Sequence, residues 1–294
     1  MEVELYQNTL AHGGAVDLSP RAKWCLSGAD RIRYLNGQVT NDVRQVKSDE
    51  ALYACVTNLK GRIEGDVFIH AFGDALIIDA AEALRESLSI RLERYIIADD
   101  ALLEDITDEW RLWHFWGDAA EKGKREVRSD RFGVSGYDVW LPTSEAVSHR
   151  ASLSAEDAES FRILQRIPAY PSELNADTFP QEAGLESLAM SFTKGCYIGQ
   201  EILSRIKTTG KMPRELIAWE AAQEETSIAP GARLQWGEKN VGLIPSVTRD
   251  PLSGLLVGLG FIRQGAAAVD SRLLVASGVS NILSVIKISA LLNQ

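Results

Sequence analysis

The sequence predicts an α+β fold that ends in a small all-β unit. Helix-like and strand-like segments are mixed up to about residue 212, without the regular alternation of a βαβ array. Beyond residue 214, short β-like runs are separated by glycine and proline turns. Hydrophobic residues form 45% and charged residues 24% of the 294-residue chain, which excludes a disordered chain, a collagen-like repeat and a coiled coil.

The elements of the α+β region follow from periodicity and turn residues. Helices are predicted where apolar residues recur three or four positions apart, over residues 32–43, 82–95 and 156–167. Strands are predicted where β-branched and aromatic residues cluster between turns, over residues 53–57, 63–72, 75–79, 110–116 and 137–141. The six acids between Asp99 and Glu109 predict a solvent-exposed loop or the start of a helix.

The region after residue 214 carries short strands at regular spacing. They are predicted over residues 214–220, 233–236, 241–247, 255–262 and 273–276. Glycine and proline turns between them favour a small sandwich or barrel. The boundary with the α+β region is expected near residues 208–216.

Composition narrows the class of function. The 31 Lys and Arg and 41 Asp and Glu give a formal net charge of −10, so the chain has no global electrostatic reason to coat nucleic acid. The three widely spaced cysteines indicate neither a disulfide framework nor a zinc site, and no metal site is predicted. The acidic N-terminus is unlike a signal peptide, and no apolar run reaches the roughly 18 to 20 residues of a membrane span. A soluble cytoplasmic protein is expected.

An unusual glycine-rich segment precedes a helical stripe, with the sequence Lys194-Gly195-Cys196-Tyr197-Ile198-Gly199-Gln200-Glu201. Its two glycines predict a tight bend before a helix, which places Cys196 just before a helix N-terminus. The helix dipole and Lys194 both favour a thiolate, so a reactive thiol is one interpretation. A structural cysteine in a glycine-rich turn is the other, because the four scattered histidines form no local pattern with Cys196.

The same region is basic within an acidic chain. Between residues 188 and 214, five basic residues stand against the single acid Glu201, a local charge of +4. This contrast predicts a cationic edge for a ligand rich in carboxylate or phosphate, and a solvated helix face is the alternative.

The segment at 194–201 resembles the K-G-C-[YF]-x-G-Q-E signature of the YgfZ family, which belongs to the superfamily of the glycine-cleavage T-protein, an aminomethyltransferase. Residues 28–43 resemble the superfamily's G-x-D…L-x-G-Q-x-T-x-D-V stretch, and residues 60–66 resemble its hairpin. Residues 180–185 resemble its P-x-E-A-G-L element. The matches span about residues 28–205.

The resemblance implies two ferredoxin-like α+β parts and a C-terminal β-barrel arranged as a ring, with tetrahydrofolate in the central opening. Under it we expect a folate-binding subdomain over 1–110, a second subdomain over 111–212 and the barrel over 213–294. Two departures argue against glycine-cleavage chemistry. Gly65-Asp66 replaces a pair of acids at the hairpin, and Val134 replaces the glutamate that holds the pterin ring.

The candidate site residues follow from the resemblance and from the chemistry of folate. Cys196 is the candidate thiol and Asp66 the candidate acid, while Gln200 and Glu201 would cap or orient the helix. A pterin needs an aromatic face and hydrogen bonds, and the glutamate tail needs a cation. The candidates for these contacts are Trp24, Gln38, Asn41, Arg62, Arg162, Lys194, Tyr197, Arg205 and Lys207.

The implied function is support of iron–sulfur cluster assembly or repair, and through it of radical-SAM tRNA modification, with tetrahydrofolate or a one-carbon derivative as cofactor. The expected partners are iron–sulfur enzymes or their assembly proteins, with tRNA involved only indirectly, and the chain is expected to be a monomer. One alternative is a folate-dependent aminomethyl or one-carbon transferase. A second is a non-enzymatic adaptor or RNA-associated protein that uses the basic segment.

Overall fold

The computed structural model describes residues 1–117, 126–145, 152–222, 228–266, 272–276 and 283–289. The helices are α1 (Val3–His12), α2 (Arg31–Asn36), α3 (Arg85–Glu93), α4 (Ala155–Leu164), α5 (Glu186–Ala189) and α6 (Gln200–Thr209). The strands are β1 (Gly13–Asp17), β2 (Ala22–Ser27), β3 (Leu52–Thr57), β4 (Ile63–Phe72), β5 (Ala75–Ala80), β6 (Leu102–Asp105), β7 (Trp110–Gly117), β8 (Glu126–Ser129), β9 (Gly136–Pro142), β10 (Ser152–Leu153), β11 (Arg214–Ala221), β12 (Arg233–Trp236), β13 (Lys239–Arg249), β14 (Leu256–Arg263), β15 (Arg272–Ala276) and β16 (Leu283–Ser289).

The first sheet has the antiparallel order β3-β4-β5-β2-β6. Its apolar face packs against α3, whose Leu88 and Leu92 are buried at helical spacing. The opposite positions of β4 are therefore free to point away from this core, since neighbouring side chains of a strand lie on opposite faces.

The second sheet has the order β10-β1-β7-β9-β8 and includes the N-terminal strand. β1 pairs with β7 over its whole length, from Gly13 opposite Gly117 to Asp17 opposite Trp113. Helices α1 and α4 cover one face through Tyr6 and Phe161, which lie in one apolar cluster with Trp116. The predicted boundaries near residues 110 and 212 stay predictions, but the first strand pairs in the second sheet rather than the first.

The last region is a closed barrel of strands β11-β14-β13-β12-β15-β16. Closure satisfies the sheet edges and encloses apolar side chains such as Leu234, Ile244 and Val275. The predicted α+β fold with a C-terminal barrel is confirmed, and β16 is a strand that the sequence analysis did not assign.

Three predicted elements differ from the structure. The helix predicted over 32–43 ends at Asn36, and Val43 lies in a separate 3₁₀ turn. The acidic segment 99–109 is not only a loop, because it contains β6, which pairs with β2 at the edge of the first sheet. The helix predicted to reach Ile167 ends at Leu164, before a proline at 168 that disfavours helical geometry in the residue preceding it. None of the helices in the described ranges is both long and apolar enough to cross a membrane.

Candidate functional site

A cavity of about 880 Å³ lies between the two sheets, within the size range of small-molecule sites. Strands β3 and β4 supply one wall, and residues 128–135, which are the end of β8 and the loop before β9, supply another. Residues 167–169 and the side chain of Arg162 on α4 close the cavity on a third side. The walls thus come from both α+β parts.

Asp66 is the carboxylate buried in this cavity. It lies on β4, is 8% exposed, and accepts a hydrogen bond from the Tyr53 hydroxyl at 3.1 Å. Phe68 follows two positions later on the same face of β4 and pairs across the ladder with Tyr53, their ring centroids 4.6 Å apart. Burial raises the pKa of Asp66. The cavity therefore combines a desolvated carboxyl with two adjacent aromatic rings.

Packing explains why position 65 holds no acid. A Cβ atom on Gly65 would lie 2.8 Å from methyl carbons of both Leu84 and Leu88. Because residues 65 and 66 point to opposite faces of β4, a side chain at 65 would enter the core beneath α3 rather than the cavity. The packing of the sheet against α3 therefore excludes an acid next to Asp66 at position 65.

A buried cation joins the two sheets behind the cavity. Arg131 is 8% exposed and donates five hydrogen bonds to Asp79 of β5 and Asp138 of β9. His70 contacts Asp79 at 3.1 Å, and His114 contacts Asp138 at 2.9 Å. Burial raises the pKa of Asp79 and of Asp138, but the charge of Arg131 helps to hold both pKa values below their usual range. The carbon of the guanidinium lies 3.9 Å from the centroid of Phe68, so this group also backs the cavity wall.

Arg162 lines the cavity, but its donors are engaged within the protein. Its guanidinium bonds Glu159, Glu173, the Ile167 carbonyl and the Ser246 hydroxyl of β13. These contacts use all five N–H groups of an arginine. Arg162 therefore attaches the barrel to α4, and the N–H groups of this predicted cofactor-binding residue are all engaged within the protein.

The glycine-rich segment forms the predicted bend followed by a helix. Gly199 has φ +88° and precedes α6, and a Cβ atom there would lie 2.5 Å from the Asn58 carbonyl oxygen, so glycine is required. Cys196 is exposed and is absent from the cavity lining. The bend packs instead against the turn at 58–61 and the end of α2, where the Ile198 N–H bonds the Gly37 carbonyl.

Lys194 is held by backbone carbonyls of the first α+β part. Its ammonium donates to the carbonyls of Asn36, Val39 and Asn41 at 2.6 to 2.7 Å, which uses all three of its protons. Burial lowers the pKa of Lys194 to about 7, and the charge of Asp42 opposes this decrease. Lys194 therefore holds the Cys196 bend against the first α+β part, and the predictions that it activates the thiol or meets the folate tail stay predictions.

The remaining predicted contacts lie outside the cavity lining. Trp24 is fully buried in the first core, and Gln38 accepts from Arg91. The other five are engaged elsewhere: Asn41 with the Tyr53 carbonyl, Arg62 with the Asp177 carbonyl and Glu182, Tyr197 in an apolar cluster, Arg205 with Glu201, and Lys207 with Glu186.

The helix-capping roles are also revised. The capping residue of α6 is Gly199, and Gln200 and Glu201 are the first two residues of the helix rather than the residues before it. Glu201 lies in the first turn, where a carboxylate interacts favourably with the helix dipole. Gly195 has open space around its α-carbon, consistent with a bend at the surface.

Several cavity residues were missed from the sequence: Arg21, Tyr53, Phe68, Ser129 and Arg131. Phe68 could be found from the period-two alternation that places it on the face of Asp66. The two arginines have no local signal, because their carboxylate partner Asp79 lies more than 50 residues away. Among the described residues, no group of three His, Cys, Asp or Glu side chains is placed to hold a metal ion.

Comparisons with known proteins agree with this architecture. Residues 4–131 match the GCVT N-terminal domain. The chain is 24% identical to an aminomethyltransferase of Shouchella clausii, over 88% of this chain and 81% of that protein. It is 25% identical to the tRNA-modifying protein YgfZ of Yersinia pestis, over 75% and 74%.

Two further similarities add to this. The chain is 29% identical to the mitochondrial iron–sulfur cluster assembly factor IBA57 homolog of Pyricularia oryzae, over 69% of this chain but only 56% of that protein. The crystal structure of glycine cleavage system aminomethyltransferase T from Bartonella henselae superposes with a TM-score of 0.84 at 15% identity, covering 98% of this chain and 88% of that one. The similarity predicted from the motifs is confirmed, and the fold is shared.

Proposed function

Starting from a chain that carries a GCVT N-terminal domain and resembles the YgfZ branch of the aminomethyltransferase superfamily, we propose that it binds tetrahydrofolate and supports iron–sulfur cluster assembly or repair. The single observation that carries the folate part is the cavity between the two sheets, with its buried Asp66 and adjacent aromatic rings. The cluster role draws on the names of the YgfZ and IBA57 relatives. The radical-SAM enzymes that modify tRNA contain iron–sulfur clusters, so tRNA modification would depend on this protein indirectly.

The residues of the cavity fit a folate. Tyr53 and Phe68 offer the aromatic surface that a flat pterin needs, and Asp66 offers an acceptor for its N–H groups. Arg128 is exposed at the cavity and offers a cation for a glutamate tail. When bound, tetrahydrofolate supplies a carrier for a one-carbon unit. The protein's own contribution is to hold the ring against the aromatic side chains and beside the buried carboxyl of Asp66.

Cys196 is proposed to act at the surface. Its thiol is exposed while Cys55 is buried and Cys25 is half-buried, so it is the cysteine that a partner protein reaches most readily. Because Cys196 lies outside the cavity lining, the thiol and the folate serve separate contacts of the same molecule. The proposed partners are iron–sulfur enzymes or assembly proteins in the cytoplasm, and the proposed working unit is the monomer.

Calorimetric titration with tetrahydrofolate tests the cavity. The wild type is expected to bind, and Asp66→Ala is expected to lose at least about tenfold in affinity, because a buried carboxylate that accepts from the ligand is removed. Asp74→Ala is the matched control, since Asp74 lies exposed in the β4–β5 turn outside the cavity lining. Absence of binding by the wild type would reject the folate proposal.

Complementation tests the thiol. In a strain that lacks the gene, Cys196→Ser is expected to leave cluster-enzyme activity low, whereas the half-buried control Cys25→Ser restores it. Full rescue by Cys196→Ser would remove the thiol from the proposed mechanism without affecting the folate site.

A second candidate is a folate-dependent one-carbon transferase. The observation that favours it is Asp66 itself, a carboxyl that lines the cavity and whose pKa is raised by burial, as a proton-exchanging acid requires. The packed Gly65 argues against the paired acids of the glycine-cleavage enzymes. Asp66-dependent turnover of methylene-tetrahydrofolate with an amine donor would establish this alternative.

The RNA-associated alternative draws less support. In the basic segment, the ammonium of Lys194 donates its hydrogen bonds to backbone carbonyls. Arg205 forms an ion pair with Glu201, and Lys207 forms one with Glu186. Strong salt dependence of RNA binding would favour it, because phosphate contacts release counterions.

A further inference from the structure

The exposed rim of the cavity is built by a backbone pairing between the two α+β parts. The N–H of Arg128 donates to the Asp49 carbonyl, and the N–H of Ala51 donates to the Arg128 carbonyl, both at 2.8 Å. These two bonds form a parallel bridge in which Glu50 is the partner of Arg128. Paired backbones lie about 4.8 Å apart, and the side chains of paired residues point to the same face. Glu50 and Arg128 therefore stand side by side, and both line the cavity.

Glu50 already occupies one of the two cations at this rim. The Lys47 ammonium donates to the Glu50 carboxylate at 2.6 Å, and their side chains are 64% and 40% exposed. The guanidinium of Arg128 makes no hydrogen bond or ion pair with any side chain in the described ranges. Asp130, the other carboxylate at the rim, likewise has no ion pair within the part of the chain that the structure describes. The rim thus presents one free cation and one that the protein's own carboxylate holds.

The rim and the interior of the cavity suit different portions of one ligand. Asp66 is 8% exposed, whereas Lys47 and Arg128 are exposed, so the cavity extends from a desolvated carboxyl to a cationic opening. A folate whose ring is held at Asp66 has its glutamate tail at this opening. That tail ends in two carboxylates, and a carboxylate forms strong hydrogen bonds with a guanidinium or an ammonium. One of them can meet Arg128 directly, but the other reaches Lys47 only where Glu50 gives way.

We propose that Glu50 is a specificity-determining residue that competes with a carboxylate of the ligand's tail for the ammonium of Lys47. The inference rests on the proposed folate site and names the residues that select the tail. Binding exchanges the Lys47–Glu50 ion pair for an ion pair between Lys47 and the ligand. Exposed ion pairs are weak, so this exchange is readily made. Glu50 thereby lowers the affinity for ligands with a carboxylate tail and leaves the affinity for the bare ring unchanged.

Calorimetric titration of Glu50→Gln with tetrahydrofolate tests the competition. Glutamine keeps the size of the side chain and removes its charge, so Lys47 is released. At low salt the variant is expected to bind tetrahydrofolate about twofold to fivefold more tightly than the wild type, the range of one exposed ion pair. At about 0.5 M salt this difference is expected to disappear, because exposed charges are then screened within about 4 Å.

Two controls separate competition for Lys47 from a general change in charge. Asp130→Asn removes a carboxylate from the same rim that holds no cation, so it is expected to raise the affinity less than Glu50→Gln does. In a Lys47→Met background, Glu50→Gln is expected to give no more than the effect of Asp130→Asn, because the cation for which Glu50 competes is gone. A tail-less ligand, 6-methyltetrahydropterin, is expected to bind the wild type and Glu50→Gln equally.

The outcomes separate this inference from the function on which it rests. If Glu50→Gln binds tetrahydrofolate no more tightly than the wild type, Glu50 does not compete with the tail, although folate binding stands. An equal effect of Asp130→Asn, or an equal increase with the tail-less pterin, overturns the inference in the same way. If the wild type binds neither ligand, the proposed function itself fails. Glu50 and Lys47 are exposed, and circular dichroism verifies that each variant is folded.

Discussion

Replacing Arg131 with methionine tests whether the buried charge bridge holds the two sheets together. Methionine keeps much of the apolar length of the side chain but removes five hydrogen bonds, two to Asp79 and three to Asp138. Both carboxylates are fully buried, and they lie in different sheets. The change therefore breaks a connection between sheets and leaves two carboxylates with fewer partners.

The magnitude follows from what remains. Asp79 keeps Arg21 and His70, and Asp138 keeps His114, so neither carboxylate is left alone. Removing one member of a buried ion pair costs about 3–5 kcal/mol, and we expect a loss in this range from the free energy of unfolding. The control Arg85→Met removes a guanidinium that also holds two carboxylates, but its side chain is 39% exposed. A loss of at most about 1 kcal/mol is expected there.

Urea denaturation of the wild type and both variants measures the difference. The double variant Arg131→Met with Asp138→Asn removes the uncompensated charge as well, and it is expected to be less destabilised than the sum of the single variants. Equal losses for Arg131→Met and Arg85→Met would refute the reasoning, because burial would then add nothing to the bridge.

Three further outcomes are expected. The folded-state pKa values of Asp79 and Asp138, which Arg131 holds, are lowered. Their stabilisation of the fold is therefore complete above an ordinary aspartate pKa of about 4 and is lost as the pH falls below it. The free energy of unfolding should fall more steeply with decreasing pH in the wild type than in Arg131→Met. The folded-state pKa of Asp66 is raised, so the ionisation of Asp66 destabilises the fold above about pH 4. Asp66→Asn should therefore have a higher free energy of unfolding than the wild type at pH 7 but not at pH 3. An equal or lower value at pH 7 would contradict this. Iodoacetamide at pH 7.5 should label the exposed Cys196 first in the native protein, because burial raises the pKa of Cys25 and of Cys55. Mass spectrometry of peptides identifies the labelled site. Faster labelling of Cys55 would contradict the structure.

The elements that the sequence predicted share one property, which is that their signal is local. The strands of the first hairpin and of the barrel follow from alternation and from glycine turns within a few residues. Asp66 was found because it lies in a short hairpin motif. By contrast, β6 was mistaken for a loop because it is an edge strand with one buried residue, Leu103, among acids.

The elements that were missed depend on distant partners. Arg131 is seven residues from Asp138 but 52 from Asp79, and Arg21 is 58 residues from Asp79, so no sequence window contains the bridge. The role expected for Lys194 was inferred from its closeness to Cys196 along the chain, whereas its hydrogen bonds are made to distant residues. Its carbonyl partners lie more than 150 residues away.

The position of β1 in the second sheet has a consequence for synthesis on the ribosome. β1 ends at Asp17, and its antiparallel partner β7 begins only at Trp110. At roughly 5–20 residues per second, the ribosome needs about 5–20 s to make the intervening chain. The first sheet, from β2 to β6, is complete before then, while β1 stays without its partner. The nascent N-terminal strand is thus the part of this protein that a chaperone would most usefully shield.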